Sequence, residues 1–347
     1  MTEVTAPKTK TKKNAVGRFF AFLGVTILCI AIILLGLIWV LERGPSPTVT
    51  GMFTRSVRET SAIRWISKIF LTDAELEQYK SVSTEDQATE SINTSLIHIA
   101  EGNSALDSGD AVQLIDIAEG TCKGKLLIVS DPKRVILGTS DQFVKKPGLQ
   151  LTDMVAKYDG IAGINAGGFN DENGTGNGST PQGLVISDGE IIWGDQFASY
   201  HLVGLDADGI LHVGAMNGKT ALEQGIRWAV SFVTHDGLAS SLIINGEVQR
   251  HNLGGGVNPR TAIGQRQDGA LLLLVLDGRS INTLGATMED VVNIMLQYGA
   301  INAGNLDGGS SSVMVYGDEI INHCASVTGP RRIPTGFIVL KEGADLG

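Results

Sequence analysis

The 347 residues hold only 3 cysteines, 6 histidines and 9 prolines. They contain no Cys-x-x-Cys and no His-Glu-x-x-His, and the histidines at 98, 201, 212, 235, 251 and 323 form no cluster. A zinc-type hydrolase is therefore disfavoured. Positive charge is also scarce: 27 Lys and Arg stand against 37 Asp and Glu, for a net charge of -10. Lys8, Lys10, Lys12, Lys13, Arg18 and Arg43 face only Glu3 and Glu42 in the first 43 residues, so the rest is more acidic still. Such a body repels phosphate backbones, which excludes a general nucleic-acid binder and leaves any anionic ligand to local arginines. With 43% hydrophobic residues and 44 glycines the chain is neither disordered nor collagen-like, and its length allows one large or two modest domains.

One long apolar run is present. Residues 19–41 carry no charge over 23 positions, and at about 1.5 Å per residue a helix of that length crosses a hydrocarbon core of about 30 Å. Lysines precede the run and Trp39 sits near its far end, so the positive-inside rule keeps residues 1–18 in the cytoplasm and places the remainder outside. A cleaved signal peptide has a shorter apolar stretch, of about 7 to 15 residues, and a small-x-small cleavage site. Cys29 lies within the run, leaving Cys122 and Cys324 as one candidate pair whose spacing decides nothing.

Residues 42–109 read as a polar helical segment. Ile63, Ile66 and Phe70 recur at helical spacing, and Thr72 with Glu75 forms a capping-box pattern. The segment is either a stalk or a set of helices packed on the body. From about residue 110 short apolar runs alternate with glycine turns. Asp188-Gly189, Asn245-Gly246 and Asp268-Gly269 suit hairpins whose two central positions take positive φ. One helix is clear, with Thr287 as cap, Glu289 and Asp290 in its first turn and Gly299 as stop. Strands with few helices and no βαβ alternation indicate an α+β body, mainly antiparallel, over residues 110–342.

Four stretches carry candidate chemistry. Asn165-Ala166-Gly167-Gly168-Phe169 follows an apolar run and enters a glycine-rich loop, where backbone can approach a ligand. Asp171, Asn173 and Thr175 in that loop alternate like early calcium ligands, although the twelfth position is Gln182 rather than Glu. A divalent cation such as calcium is thus the one cofactor candidate. Arg260, in Pro259-Arg260-Thr261, can present its planar fork to phosphate or pair with a structural carboxylate. Asp277-Gly278-Arg279 ends a fully apolar run, as a cleft rim or a plain turn. Asn305-Leu306-Asp307-Gly308-Gly309-Ser310-Ser311 sets amides and hydroxyls beside an acid. No G-x-S-x-G elbow supports a serine nucleophile at Ser310 or Ser311. Arg331 and Arg332 add two cations on a proline-bounded loop, as a second phosphate clamp or as solvated charge.

In this order, INAGGF, PQG, PRTAIG, DGR, the Thr287 helix and NLDGGSSS resemble the phosphodiester glycosidase family over residues 110–340. Two positions depart from its pattern: Gly168 stands where a Phe is usual, and Ser310 replaces a third glycine. The resemblance implies hydrolysis of a sugar-1-phosphodiester in an exopolysaccharide or cell-envelope glycopolymer by a membrane-anchored protein. It makes Asp307 the nucleophile or base and Asp277 the second carboxylate, with Arg260 and either Arg279 or Arg332 on the phosphate. Asn165, Gly168 and Asn305 would orient the sugar; the Gly308 and Gly309 amides and the Ser310 and Ser311 hydroxyls would complete the cradle. A non-catalytic glycopolymer-binding protein using the same cleft is the alternative.

Overall fold

The computed structural model describes residues 12–79, 91–99, 112–171, 176–233, 240–249, 253–278, 283–326 and 329–343. Arg279, Asn173 and Thr175 lie outside them.

Helix α1 (Lys12–Arg43) contains a stretch, Val16–Arg43, long and apolar enough to cross a membrane, with an 18-residue window of mean hydropathy 3.0, none of which is buried. Helix α2 (Pro47–Glu59) follows at once, started by Ser46 accepting from the Val49 amide and by Pro47 at a position that needs no donor. A 3-10 segment (Ser61–Lys68) leads to α3 (Asp73–Glu77), whose Thr72/Glu75 capping box forms as expected. Helix α2 packs on the body. Thr54 and Val57 are buried, and Ser56 Oγ accepts from the Val257 amide at 2.8 Å.

The body is built from β1 (Val112–Glu119), β2 (Cys122–Val129), β3 (Val135–Thr139), α4 (Leu151–Lys157), β4 (Gly160–Asn165), β5 (Val185–Ser187), β6 (Glu190–Trp193), β7 (Ser199–Asp206) and β8 (Leu211–Asn217). There follow α5 (Gly218–Glu223), β9 (Ile226–Ser231), β10 (Ser241–Ile244), β11 (Glu247–Val248), β12 (Arg260–Arg266), β13 (Leu271–Leu276), α6 (Met288–Gln297), β14 (Ala300–Asn305), β15 (Met314–Tyr316), β16 (Glu319–Ile320) and β17 (Thr335–Leu340). They form three sheets, ordered β1-β2-β13-β12-β14-β10-β11, β16-β15-β4-β17-β3 and β6-β5-β9-β7-β8. The paired strands run antiparallel, as an α+β body predicts.

The seven-stranded sheet is covered on both faces, which explains why β13 is apolar without alternation. Leu271, Leu273 and Val275 join a core shared with the two smaller sheets, while Leu272, Leu274 and Leu276 pack with Val291, Val292 and Met295 of α6. Each fully buried side chain of this size contributes about 1.5 to 3 kcal/mol. Helix α6 has the expected Thr287/Asp290 capping box. At Asp188-Gly189 and Asn245-Gly246 both central residues take positive φ, but in the 268–269 turn only Gly269 does, at 88°. A longer loop with glycine in the left-handed position closes that hairpin instead.

Candidate active site

Strand order brings the motifs together. β12 lies between β13 and β14 and runs antiparallel to both, so its first residue sits beside their last: Arg260 is opposite Leu276, and Ala262 opposite Asn305. Pro259, Asp277 and Asp307 therefore meet at one end of the sheet. β13 and β14 stand two strand spacings apart, about 10 Å.

Asn165, at the end of β4, fastens this end to the second sheet. It is 1% exposed. Its Nδ2 donates to the Asp307 carbonyl at 2.6 Å, and its Oδ1 accepts from Thr261 Oγ1 at 2.9 Å and the Val313 amide at 3.0 Å. The Asp307 amide in turn donates to the Ala166 carbonyl at 2.9 Å.

Asp307 is half-buried, and removal from water pushes its carboxyl up to about 7. The Ser311 hydroxyl, the nearby Arg331 guanidinium and the Gly308 amide favour the anion, and Asp171 opposes it. Arg331 grips Asp171 through both oxygens, at 2.5 and 2.8 Å, and donates to the Gly176 carbonyl at 2.7 Å and Ser310 Oγ at 3.3 Å. Its guanidinium lies 4.9 Å from the centroid of the Phe169 ring. One cation thus sits between two carboxylates.

Several expected residues take other places. Arg260 and Thr261 are neighbours on a strand and face opposite sides of the sheet. Thr261 turns to Asn165, and Arg260 turns to Glu59. The Arg260 guanidinium is 5% exposed and paired with Glu59 at 3.0 Å; it also donates to the Gly256 and Ala286 carbonyls. Its phosphate-clamp reading is corrected: these donors are already engaged by the chain itself. Arg332 is exposed and donates to the Gly148 carbonyl, so the inward arginine of the pair is Arg331. The Asn165 amide serves the fold rather than an open cleft. Gly168 packs closely, since a Cβ there would lie 2.8 Å from Gln182 Oε1 and 3.1 Å from the Phe232 ring. The Gly309 amide is taken by the Pro259 carbonyl at 3.0 Å. Asn305 Oδ1 and Ser312 Oγ are buried without a protein partner beside the Asp307 loop.

Asp277 accepts from the His323 amide at 2.9 Å, and burial raises its carboxyl above the ordinary range. Cys122 and Cys324 are both free thiols. Asp171, the one candidate calcium ligand described, spends its carboxylate on Arg331 and the Gly176 amide. A cavity of about 380 Å³ beside β8, bordered by Ser91, His212 and Gln224, shares no residue with the Asp307 cluster. Glu59 and Asp171 were missed as site-supporting residues, because the contacts that recruit them span 201 and 160 positions.

A phosphodiester glycosidase family model matches residues 158–340, just over half of the chain. The chain belongs to the phosphodiester glycosidase family. The matched residues include β4, the Arg260 strand, Asp277, Asp307 and Arg331. Among solved structures, this family member is similar to the catalytic domain of zebrafish N-acetylglucosamine-1-phosphodiester alpha-N-acetylglucosaminidase, a structure described as auto-inhibited by its pro-peptide. Identity is 19%, the TM-score is 0.56, and the match covers 70% of this chain and 87% of the zebrafish one. A putative exported protein of Burkholderia pseudomallei K96243 matches with a TM-score of 0.47 and 16% identity, over 65% of this chain and 75% of its own. A curated relative, the SPbeta prophage-derived uncharacterized protein YomE of Bacillus subtilis strain 168, is 46% identical over 66 residues. Those residues make up 19% of this chain and 10% of YomE.

Proposed function

We propose that the protein is a hydrolase that cleaves a sugar-1-phosphodiester at the anomeric carbon, with Asp307 as the working carboxyl. The observation that carries this reading is an acid raised to about 7 by burial and set beside the Arg331 guanidinium. Perturbation of that kind, joined to family membership, suits acid–base work near neutral pH. A water attacks the anomeric carbon as the bond to the phosphate oxygen breaks. The water's proton passes to Asp307, and the electron pair leaves with the phosphate. A sugar hemiacetal and a phosphomonoester result. Phosphate is a good leaving group, so electrostatic help from Arg331 replaces strong general-acid assistance. Asn305 and Ser312 supply unpaired polar atoms for sugar hydroxyls. Asp277 stands as second carboxylate.

Helix α1 is read as a signal anchor with residues 1–18 in the cytoplasm, which puts the body on the extracytoplasmic side, where a cell-envelope or exopolysaccharide glycopolymer is the substrate. The test is to incubate the full chain in detergent with a panel of sugar-1-phosphodiesters and follow free reducing sugar by NMR. Appearance of the β or α anomer first reports the stereochemistry. Binding of these compounds with no release would instead identify a glycopolymer-binding protein.

A further inference from the structure

Glu59 belongs to the juxtamembrane helix α2, about a hundred residues before the first position matched by the family model. Its side chain is 9% exposed, and one of its oxygens accepts from Asn258 Nδ2 at 2.5 Å and from Arg260 Nη2 at 3.0 Å. Between those two partners lies Pro259, whose carbonyl receives the Gly309 amide at 3.0 Å. A Cβ at Gly308 would lie 2.8 Å from that same carbonyl, so the loop bearing Asp307 rests directly on it. The Gly308 amide in turn favours the ionised form of Asp307. One turn earlier on α2, Ser56 Oγ accepts from the Val257 amide at 2.8 Å, and a Cβ at Gly256 would come within 2.2 Å of it. The C-terminal end of α2 thus clamps residues 256–260, and that clamp is the floor beneath Gly308 and Gly309.

We propose that Glu59 is a positioning residue for the Asp307 loop, so that helix α2, next to the membrane helix, is a working part of the catalytic body. The ion pair explains why Arg260 is buried so close to the reacting centre without facing it. A buried guanidinium needs a partner, and removing that partner leaves an uncompensated charge that drags its own strand end with it. Pro259 moves with Arg260, and Asp307 moves with Pro259. A displacement of about 1 Å at a reacting group is enough to cost on the order of a hundredfold in rate. The inference rests on Asp307 being the working carboxyl, and its test has one arm that does not.

The test compares the full-length protein, wild type, with E59Q, E59D and V57A, the last removing buried α2 packing without touching Glu59. Hydrogen exchange of peptides covering residues 306–313 is read beside kcat, KM and the pH dependence of sugar release. In E59Q, exchange at Gly309 should quicken by about tenfold or more and kcat fall about 10- to 100-fold with KM little changed. E59D, which keeps the charge, should recover part of both, and V57A should lower Tm while leaving the pH profile in place. Unchanged exchange in E59Q and E59D overturns the proposal, as does faster exchange with unchanged kcat. If wild-type protein releases no sugar, the hydrolase reading fails while the exchange comparison still decides whether Glu59 holds the loop.

Discussion

The side-chain amide of Asn165 donates to the main-chain carbonyl of Asp307 at 2.6 Å, joining residues 142 positions apart in the chain. With its other two bonds, this one side chain ties β4, β12 and the start of β15 around the acid. Asn165→Ala removes three buried hydrogen bonds and leaves their partners unsatisfied. It should cost about 3 to 5 kcal/mol of stability, read from a denaturant midpoint.

Asp307 makes stability depend on pH in a defined direction. The unfolded chain loses this proton near the ordinary value of about 3.9, and the folded protein keeps it up to about 7. Between those values the folded state holds the extra proton, so this group's contribution falls as pH rises and is at its worst above 7. Asp307→Asn should therefore raise Tm at pH 8 relative to wild type, with the gain fading towards pH 4. A gain that grew on acidification would contradict the burial argument.

Arg331 favours the ionised form of Asp307. Arg331→Met should push that carboxyl higher and move the acidic limb of the rate profile to higher pH, whereas Arg331→Lys should move it less, although it loses the two-pronged grip on Asp171. A pH–rate profile of each variant separates the two.

Gly308 has φ of -114°, open to any residue, yet a Cβ there would meet the Pro259 carbonyl at 2.8 Å. Gly308→Ala should then lower kcat strongly while the thermal midpoint falls only modestly. By contrast, Leu273→Ala should cost about 2 to 5 kcal/mol and leave the shape of the pH profile intact.

Much of the architecture was legible because its causes are local. The Thr287 helix declares its cap and stop, two of the hairpins declare their left-handed pairs, and the charge-free run declares its length. The apolar run that forms β13 declares a buried segment. Arg260 and Arg331 show where this reading ends. Choosing the inward cation required knowing that Thr261 turns to Asn165, which forces Arg260 to the opposite face, and that Arg331 rather than Arg332 turns inward. Neither follows from composition or spacing, because both depend on partners more than 90 positions away. The packing of α2 was one of two arrangements its polar sequence allowed; the contacts of Ser56 and Glu59 select it.

The most direct measurement is the rate of sugar release from a sugar-1-phosphodiester by wild type and by Asp307→Asn, with ligand binding followed in parallel. Release by wild type, lost by about a thousandfold in the variant while binding persists, is the expected result. Release undiminished in the variant would contradict the role given to Asp307.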